Sequence, residues 1–240
     1  VTLSARGLDE TEHQLTRKGR EMTVRVHEFH AGRDSGTLLV FGEIADGCLV
    51  RIHSRCLYGD ALASDDCDCG PELDLAMDQI QNEGAGVLLY LEQEGRGAGL
   101  TAKARGLRAS ELTGDDTFTS YAQLGLPADS RDYGPGVTQL VQLGLTRIRL
   151  LTNNPEKAEA VRAAGIHVVV LPLATRARSA RARSYLDAKR QHRKHWFAAD
   201  AGPWAPTLAS PESTLVMPVL PDDSGWSEPA EEPRKRRRLR

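Results

Sequence analysis

The chain has 240 residues and a mass of 26.2 kDa, and its 40% apolar content is enough for one sizeable buried core. Its 31 Lys and Arg stand against 33 Asp and Glu, a formal net charge of −2, which argues against a dedicated nucleic-acid binder. No apolar run reaches the ~18 residues of a membrane span, nothing reads as an export signal, and four cysteines in that context favour free thiols over a disulfide scaffold, so a cytoplasmic globular protein is expected.

Residues 1–35 are charged and weakly patterned, with Gly32 and Gly36 marking a late start to regular structure, and are expected to form a ragged leader. Residues 37–41 and 49–53 are short β-rich runs, and Ala45-Asp-Gly47 between them is a hairpin-like signal. Pro71 opens a helical pattern in which Leu73, Met77 and Ile80 recur at i, i+4 and i+7, closed by Gly84. Residues 87–91 form a continuous apolar run, as in a strand covered on both faces. Leu140 and Leu143 indicate a further helix. A strand at 148–151, a helix from Pro155 to Ala164 and a strand at 168–170 then make a βαβ unit. The pattern predicts an α/β fold with parallel pairing in its second half. Seven of the twelve prolines lie between Pro203 and Pro233, so 197–240 reads as a Pro-rich, disordered tail ending in the basic run 234–238.

Cys56, Cys67 and Cys69 stand as C-x10-C-x-C. Three soft thiolates suit zinc and leave the fourth tetrahedral position open, and zinc lowers the pKa of its water to roughly 7. Two other readings stay open: ordinary buried thiols, or a closed site with His53 as fourth ligand. Cys48, within an apolar run, reads as a small core residue.

Residues 150–157 run from a strand into a helix, with Asn153 or Asn154 as N-cap and Pro155 as first helical residue. Free amides there, with Thr152 and Lys157, suit phosphate. Residues 92–99, rich in glycine, follow the apolar strand and offer Glu94 as acceptor and Arg96 as a donor fork, at the strand end where α/β ligands sit. Asp129 and Arg131 are two apart in a polar loop, suited to base and charge-stabilising roles.

Taken in order, Arg51-Ile-His-Ser54, Cys56-Leu-Tyr-Gly-Asp60, Cys67-Asp-Cys-Gly70, Gln93-Glu-Gly-Arg96, Asp129-Ser-Arg-Asp132 and Leu151-Thr-Asn-Asn-Pro155 resemble the GTP cyclohydrolase II family. Tyr185-Leu-Asp-Ala-Lys189 is similar to its closing segment, so the resemblance covers about 37–195. It implies a mixed sheet flanked by helices with a zinc-binding loop, as a catalytic domain over 36–196, and a homodimer. Cys56, Cys67 and Cys69 would hold one zinc. Arg51, His53, Ser54, Arg55, Glu72, Glu94, Gly95, Arg96, Thr117, Thr152 and Lys157 would line GTP or a related nucleotide, with magnesium on the triphosphate. Asp129 would be the proton acceptor, and Arg131 the nucleophile toward the α-phosphate, although stabilising phosphoryl charge suits a guanidinium better. The implied reaction opens the imidazole ring of GTP at C8 and releases formate and pyrophosphate, for riboflavin biosynthesis.

Three positions depart from the family pattern. Arg55 stands for the usual glutamate, Glu72 for glutamine, and Leu107 for an active-site tyrosine. Leu107 has no hydroxyl to orient water, so a ring-opening enzyme that keeps the formyl group, or one that takes another nucleotide, is an alternative. A non-catalytic zinc-containing binding or regulatory protein is an alternative of another class.

Overall fold

The computed structural model describes residues 5–31 and 34–193. A short helix α1 (Ala5–Asp9) precedes three antiparallel strands, β1 (His13–Arg17), β2 (Arg20–Ala31) and β3 (Asp34–Phe41). There follow β4 (Leu49–Ser54), α2 (Leu57–Asp60), α3 (Cys69–Glu83), β5 (Gly86–Leu91), a 3-10 turn (Glu94–Gly97), α4 (Leu100–Thr113), α5 (Thr117–Gln123) and α6 (Gly134–Gln142). β6 (Arg147–Leu151), α7 (Pro155–Ala163), β7 (His167–Leu171) and α8 (Ala180–Arg193) complete the described residues. The strands form one seven-stranded mixed sheet in the order β1-β2-β3-β5-β4-β6-β7.

β5 is where the sheet changes sense. It pairs antiparallel with β3 and parallel with β4, and β4, β6 and β7 continue in parallel. A strand so enclosed must be apolar on both faces, and five of its six residues are buried. One face packs on α1, α6 and α7 through Leu8, Val137, Leu140, Ala158 and Val161. The other packs on α3 through Ala76, Met77 and Ile80. α3 stops at Gly84, whose φ of 81° lets its N–H return to the Ile80 carbonyl.

Two expectations are corrected. Regular structure begins well before residue 36: β1 and β2 lie in the stretch expected to be ragged, joined by Lys18 and Gly19, which both take the positive φ of a two-residue hairpin turn. Their apolar alternation is weak because much of the hairpin's anchoring is ionic. Arg17 and Lys18 reach across to Asp74 and Asp78 on α3. Gly36 is a mid-strand residue rather than a turn marker, since a Cβ there would meet the Phe29 ring at 2.8 Å. The hairpin read at Ala45-Asp-Gly47 is also absent: β3 and β4 are not neighbours, because β5 inserts between them. Asp46 instead caps the start of β6, accepting from the Thr146 and Arg147 N–H groups. The expected Pro-rich tail, 197–240, lies outside the described residues.

Leu89 sits at the centre of β5 with none of its surface exposed. Leu89→Ala is expected to cost about 2–5 kcal/mol in urea unfolding by emptying that position; a loss below about 1 kcal/mol would contradict the assigned core.

Candidate active site

Parallel pairing sends the carboxyl ends of β4, β5 and β6 to one edge of the sheet, and the residues that follow them meet there. From β4, Arg51 donates to the Leu151 carbonyl at 3.0 Å and to Glu72 Oε2 at 2.6 Å. Both side chains of this ion pair are buried. Burial opposes the Glu72 charge, but Arg51 and Lys189 outweigh it and hold the carboxyl below its ordinary range. His53 lies in the same strand, with Nδ1 3.3 Å from Arg51 Nη2 and Nε2 3.1 Å from Asp60. A guanidinium only donates, so this network assigns Nδ1 as acceptor and the proton to Nε2. Burial lowers the imidazole pKa and keeps it neutral.

The three thiols come together through a glycine contact. α2 and the start of α3 touch where Gly59 faces Gly70, and a Cβ on Gly70 would strike the Gly59 backbone. The sulfurs of Cys56, Cys67 and Cys69 all lie within 4.8 Å of one another, and Cys56 and Cys67 are 3.8 Å apart. Tetrahedral zinc with Zn–S bonds of about 2.3 Å requires sulfur separations of about 3.8 Å, so the trio fits the ion. His53 does not join them; it is engaged with Asp60. Cys67 and Cys69, then Lys103, pull the Cys56 thiol well below its usual pKa, while its bond to Cys56 holds Cys67 up to about 11. Lys103 Nζ spans from Cys56 Sγ at 3.2 Å to Glu94 Oε1 at 2.8 Å. The other Glu94 oxygen accepts from the Leu57 N–H at 2.6 Å, fixing the backbone next to Cys56.

Two adjoining cavities open here and share Ser54, Cys69, Arg96, Arg131 and Tyr185 in their walls. One is lined by Arg51, His53, Glu72, Thr152, Asn153, Asn154, Lys157 and Lys189, the other by Arg55, Cys56, Glu94, Gly95, Lys103, Leu107, Thr117 and Tyr121. Cys67 completes the sulfur trio without lining either. Asp129 stands behind Arg131, which grips it through Nε at 3.0 Å and Nη2 at 2.5 Å. Burial opposes the Arg131 charge, but Tyr133 and Asp129 more than offset it. Lys157 differs: it has the Ile52 carbonyl at 2.9 Å, and burial, with Arg51 and Arg131 nearby, pushes its pKa well down.

Several expectations take a different shape. Asn154, not Asn153, caps α7, accepting from the Glu156 N–H at 2.9 Å. Asn153 instead ties Glu72 Oε1 (2.9 Å) to the backbone of Leu173. Both Glu72 oxygens therefore have protein partners, Arg51 and Asn153. Arg55 pairs with Glu92 on the surface at 2.6 Å. Sequence reasoning passed over Lys103, Phe118 and Tyr121, and noted Tyr185 and Lys189 only as part of a closing segment. Lys189, from α8, is 2.6 Å from the buried Asp68, and the Tyr185 phenol is pushed up to about 12 by burial.

The arrangement is a metal-competent sulfur trio beside a cavity rich in cations, at the carboxyl edge of a mixed α/β sheet. Residues 8–171 match the family model described as GTP cyclohydrolase II, and the chain belongs to that family. It is 47% identical over 165 residues to riboflavin biosynthesis protein RibBA of Mycobacterium marinum, a span of 65% of this chain and 38% of that protein. It is 49% identical over 154 residues to RibBA of Bacillus cereus, spanning 63% and 38%, and 45% identical over 168 residues to RibBA of Salinispora arenicola, spanning 68% and 39%. The chain thus spans about two-fifths of the length of these curated relatives. The family match takes in β1 and β2.

Gly70→Ala is expected to destabilise the fold by about 1–3 kcal/mol through overpacking against Gly59, and to weaken zinc retention against a chelator. Unchanged zinc retention with intact stability would show that the glycine contact does not set the sulfur trio.

Proposed function

We propose that this chain hydrolytically opens the imidazole ring of GTP at C8, releasing formate and pyrophosphate. The observation that carries this reading is the sulfur trio and the cationic cavity meeting in one place, with Cys69, Arg96 and Arg131 in the shared wall. Cys56, Cys67 and Cys69 would hold zinc, which when bound supplies Lewis acidity and activates water. Magnesium would accompany the triphosphate. We place the enzyme in riboflavin biosynthesis as a cytoplasmic homodimer.

The protein's own groups divide the remaining work. Arg96 and Lys157 are the cavity cations not matched to a carboxylate by any described ion pair, and they receive the polyphosphate. Burial, with Arg51 and Arg131 nearby, pushes the Lys157 pKa down, and an arriving anionic phosphate favours its charged form. Arg131, held charged by Asp129, stabilises phosphoryl charge rather than attacking phosphorus. Glu94 and Lys103 keep the Cys56 end of the cavity in register. Thr152 and the capped start of α7 add neutral donors at the phosphate end. A second reading, ring opening with the formyl group retained, is favoured by one observation: Leu107 presents only methyl groups to the cavity wall that also holds Cys56 and Glu94.

Mass spectrometry of the products from zinc-loaded protein, GTP and magnesium, with formate assayed in parallel, tests both. Ring-opened nucleotide with one formate per turnover supports the first reading, ring-opened nucleotide still carrying its formyl supports the second, and intact GTP contradicts both.

Because burial depresses the Lys157 pKa and a bound anion raises it, triphosphate binding is expected to take up a proton at Lys157 as pH rises toward the depressed pKa, so affinity falls with rising pH. Calorimetry in buffers of different ionisation enthalpy should read that uptake, and Lys157→Met should remove it. Equal uptake in the variant would assign the proton elsewhere.

A further inference from the structure

Arg96 reaches the cavity from a strained turn. Gly95 and Arg96 both take left-handed backbone, with φ of 59° and 58°, a region a non-glycine residue enters at a cost. Something must hold the arginine there, and α5 does so. The Arg96 guanidinium carbon lies 3.5 Å from the centroid of the Phe118 ring and 5.3 Å from that of Tyr121. Its Nη2 donates to Thr117 Oγ1 at 2.8 Å, and Tyr121 Oη donates to the Gly95 carbonyl at 3.3 Å. Asp116 fixes the first turn of α5 by accepting from the Phe118 and Thr119 N–H groups at 2.7 and 3.1 Å. The Tyr121 ring has room only because α4 carries glycine at 106, where a Cβ would lie 2.7 Å from Tyr121 Cδ1 and closer still to Cε1. With the guanidinium over the Phe118 ring and Nη2 engaged, Nη1 is left buried without a partner among the described residues.

We propose that Phe118 and Tyr121 are positioning residues, an aromatic clamp that sets Arg96 before binding so that Nη1 meets an anionic phosphate oxygen of the nucleotide. The proposal rests on the nucleotide reading of the cavity and deepens it by naming what prepares its arginine. Three physical terms favour such a device. A guanidinium over an aromatic face is stabilised by the ring quadrupole, most strongly where water is excluded. A side chain immobilised in the free protein loses less rotamer freedom on binding. The rings also hold the charge without neutralising it, whereas a carboxylate partner would compete with the phosphate.

The test is a double-mutant cycle read by calorimetric binding of inorganic tripolyphosphate to the full, zinc-loaded chain. Phe118→Leu is expected to weaken binding about tenfold. Arg96→Leu is expected to weaken it at least as much, and adding Phe118→Leu to Arg96→Leu should weaken it no further. Phe118→Tyr should bind within about twofold of the original chain. Zinc content and thermal unfolding report on folding; if Phe118→Leu does not fold, Tyr121→Leu takes its place in the same cycle with the same expectation. Additive losses, or full affinity in the Phe118 or Tyr121 variant, would overturn the clamp, as would a chain that does not bind tripolyphosphate. GTP turnover, measured alongside, separates the two claims. Coupled losses with intact GTP would leave the clamp standing and overturn ring opening; additive losses with GTP opened would do the reverse.

Discussion

The structure is organised around a charge problem. Arg51, Arg96, Arg131, Lys157 and Lys189 converge on one region at the carboxyl edge of the sheet. Each must be held against its neighbours' repulsion and against the cost of leaving water. Three are matched to carboxylates that are themselves buried: Arg51 to Glu72, Arg131 to Asp129 and Lys189 to Asp68. The other two are held without compensation of charge, Arg96 by aromatic rings and the Thr117 hydroxyl, Lys157 by a carbonyl. Removing one partner of a buried pair would leave an uncompensated charge, a loss of about 3–5 kcal/mol. The unmatched remainder is positive, and the natural completion of such a cavity is an anion.

The fold supplies the means. Only a run of parallel strands delivers the ends of β4, β5 and β6 to the same edge, and only a strand as apolar as β5 can be enclosed between an antiparallel partner and a parallel one. Two backbone approaches then bring the chemistry within range. Gly59 against Gly70 closes the sulfur trio, and Gly106 under Tyr121 lets α5 lean on the turn that carries Arg96. None of these three glycines is needed there for its φ; what counts is the missing Cβ.

The parts of this arrangement that were legible in the sequence are those whose signals are local. The cysteine spacing, the helix start at Pro155 with Asn153 or Asn154 before it, the apolar run of β5 and the Gly84 stop each depend on a few adjacent residues. What was hidden depends on partners far along the chain. The β1–β2 hairpin leans on ion pairs to α3 about sixty residues away rather than on an apolar stripe. The false hairpin at 45–47 came from treating neighbouring runs as neighbouring strands, which β5 prevents. The partners of Glu72 were hidden by distance along the chain, Arg51 lying 21 residues away and Asn153 81. Phe118 and Tyr121 look like ordinary core aromatics until Arg96 is seen against their rings. A polar handle on Tyr121, next to a glycine-bearing helix, is the one hint the sequence held.

On the proposed function, the cationic cavity and the sulfur trio serve one ligand. A crystal structure of the zinc-loaded chain with a non-hydrolysable GTP analogue tests it most directly. The polyphosphate is expected beside Arg96 and Lys157, with C8 of the guanine facing Cys56, Cys67 and Cys69. A polyphosphate bound away from both cations, or an imidazole turned away from the thiols, would contradict it.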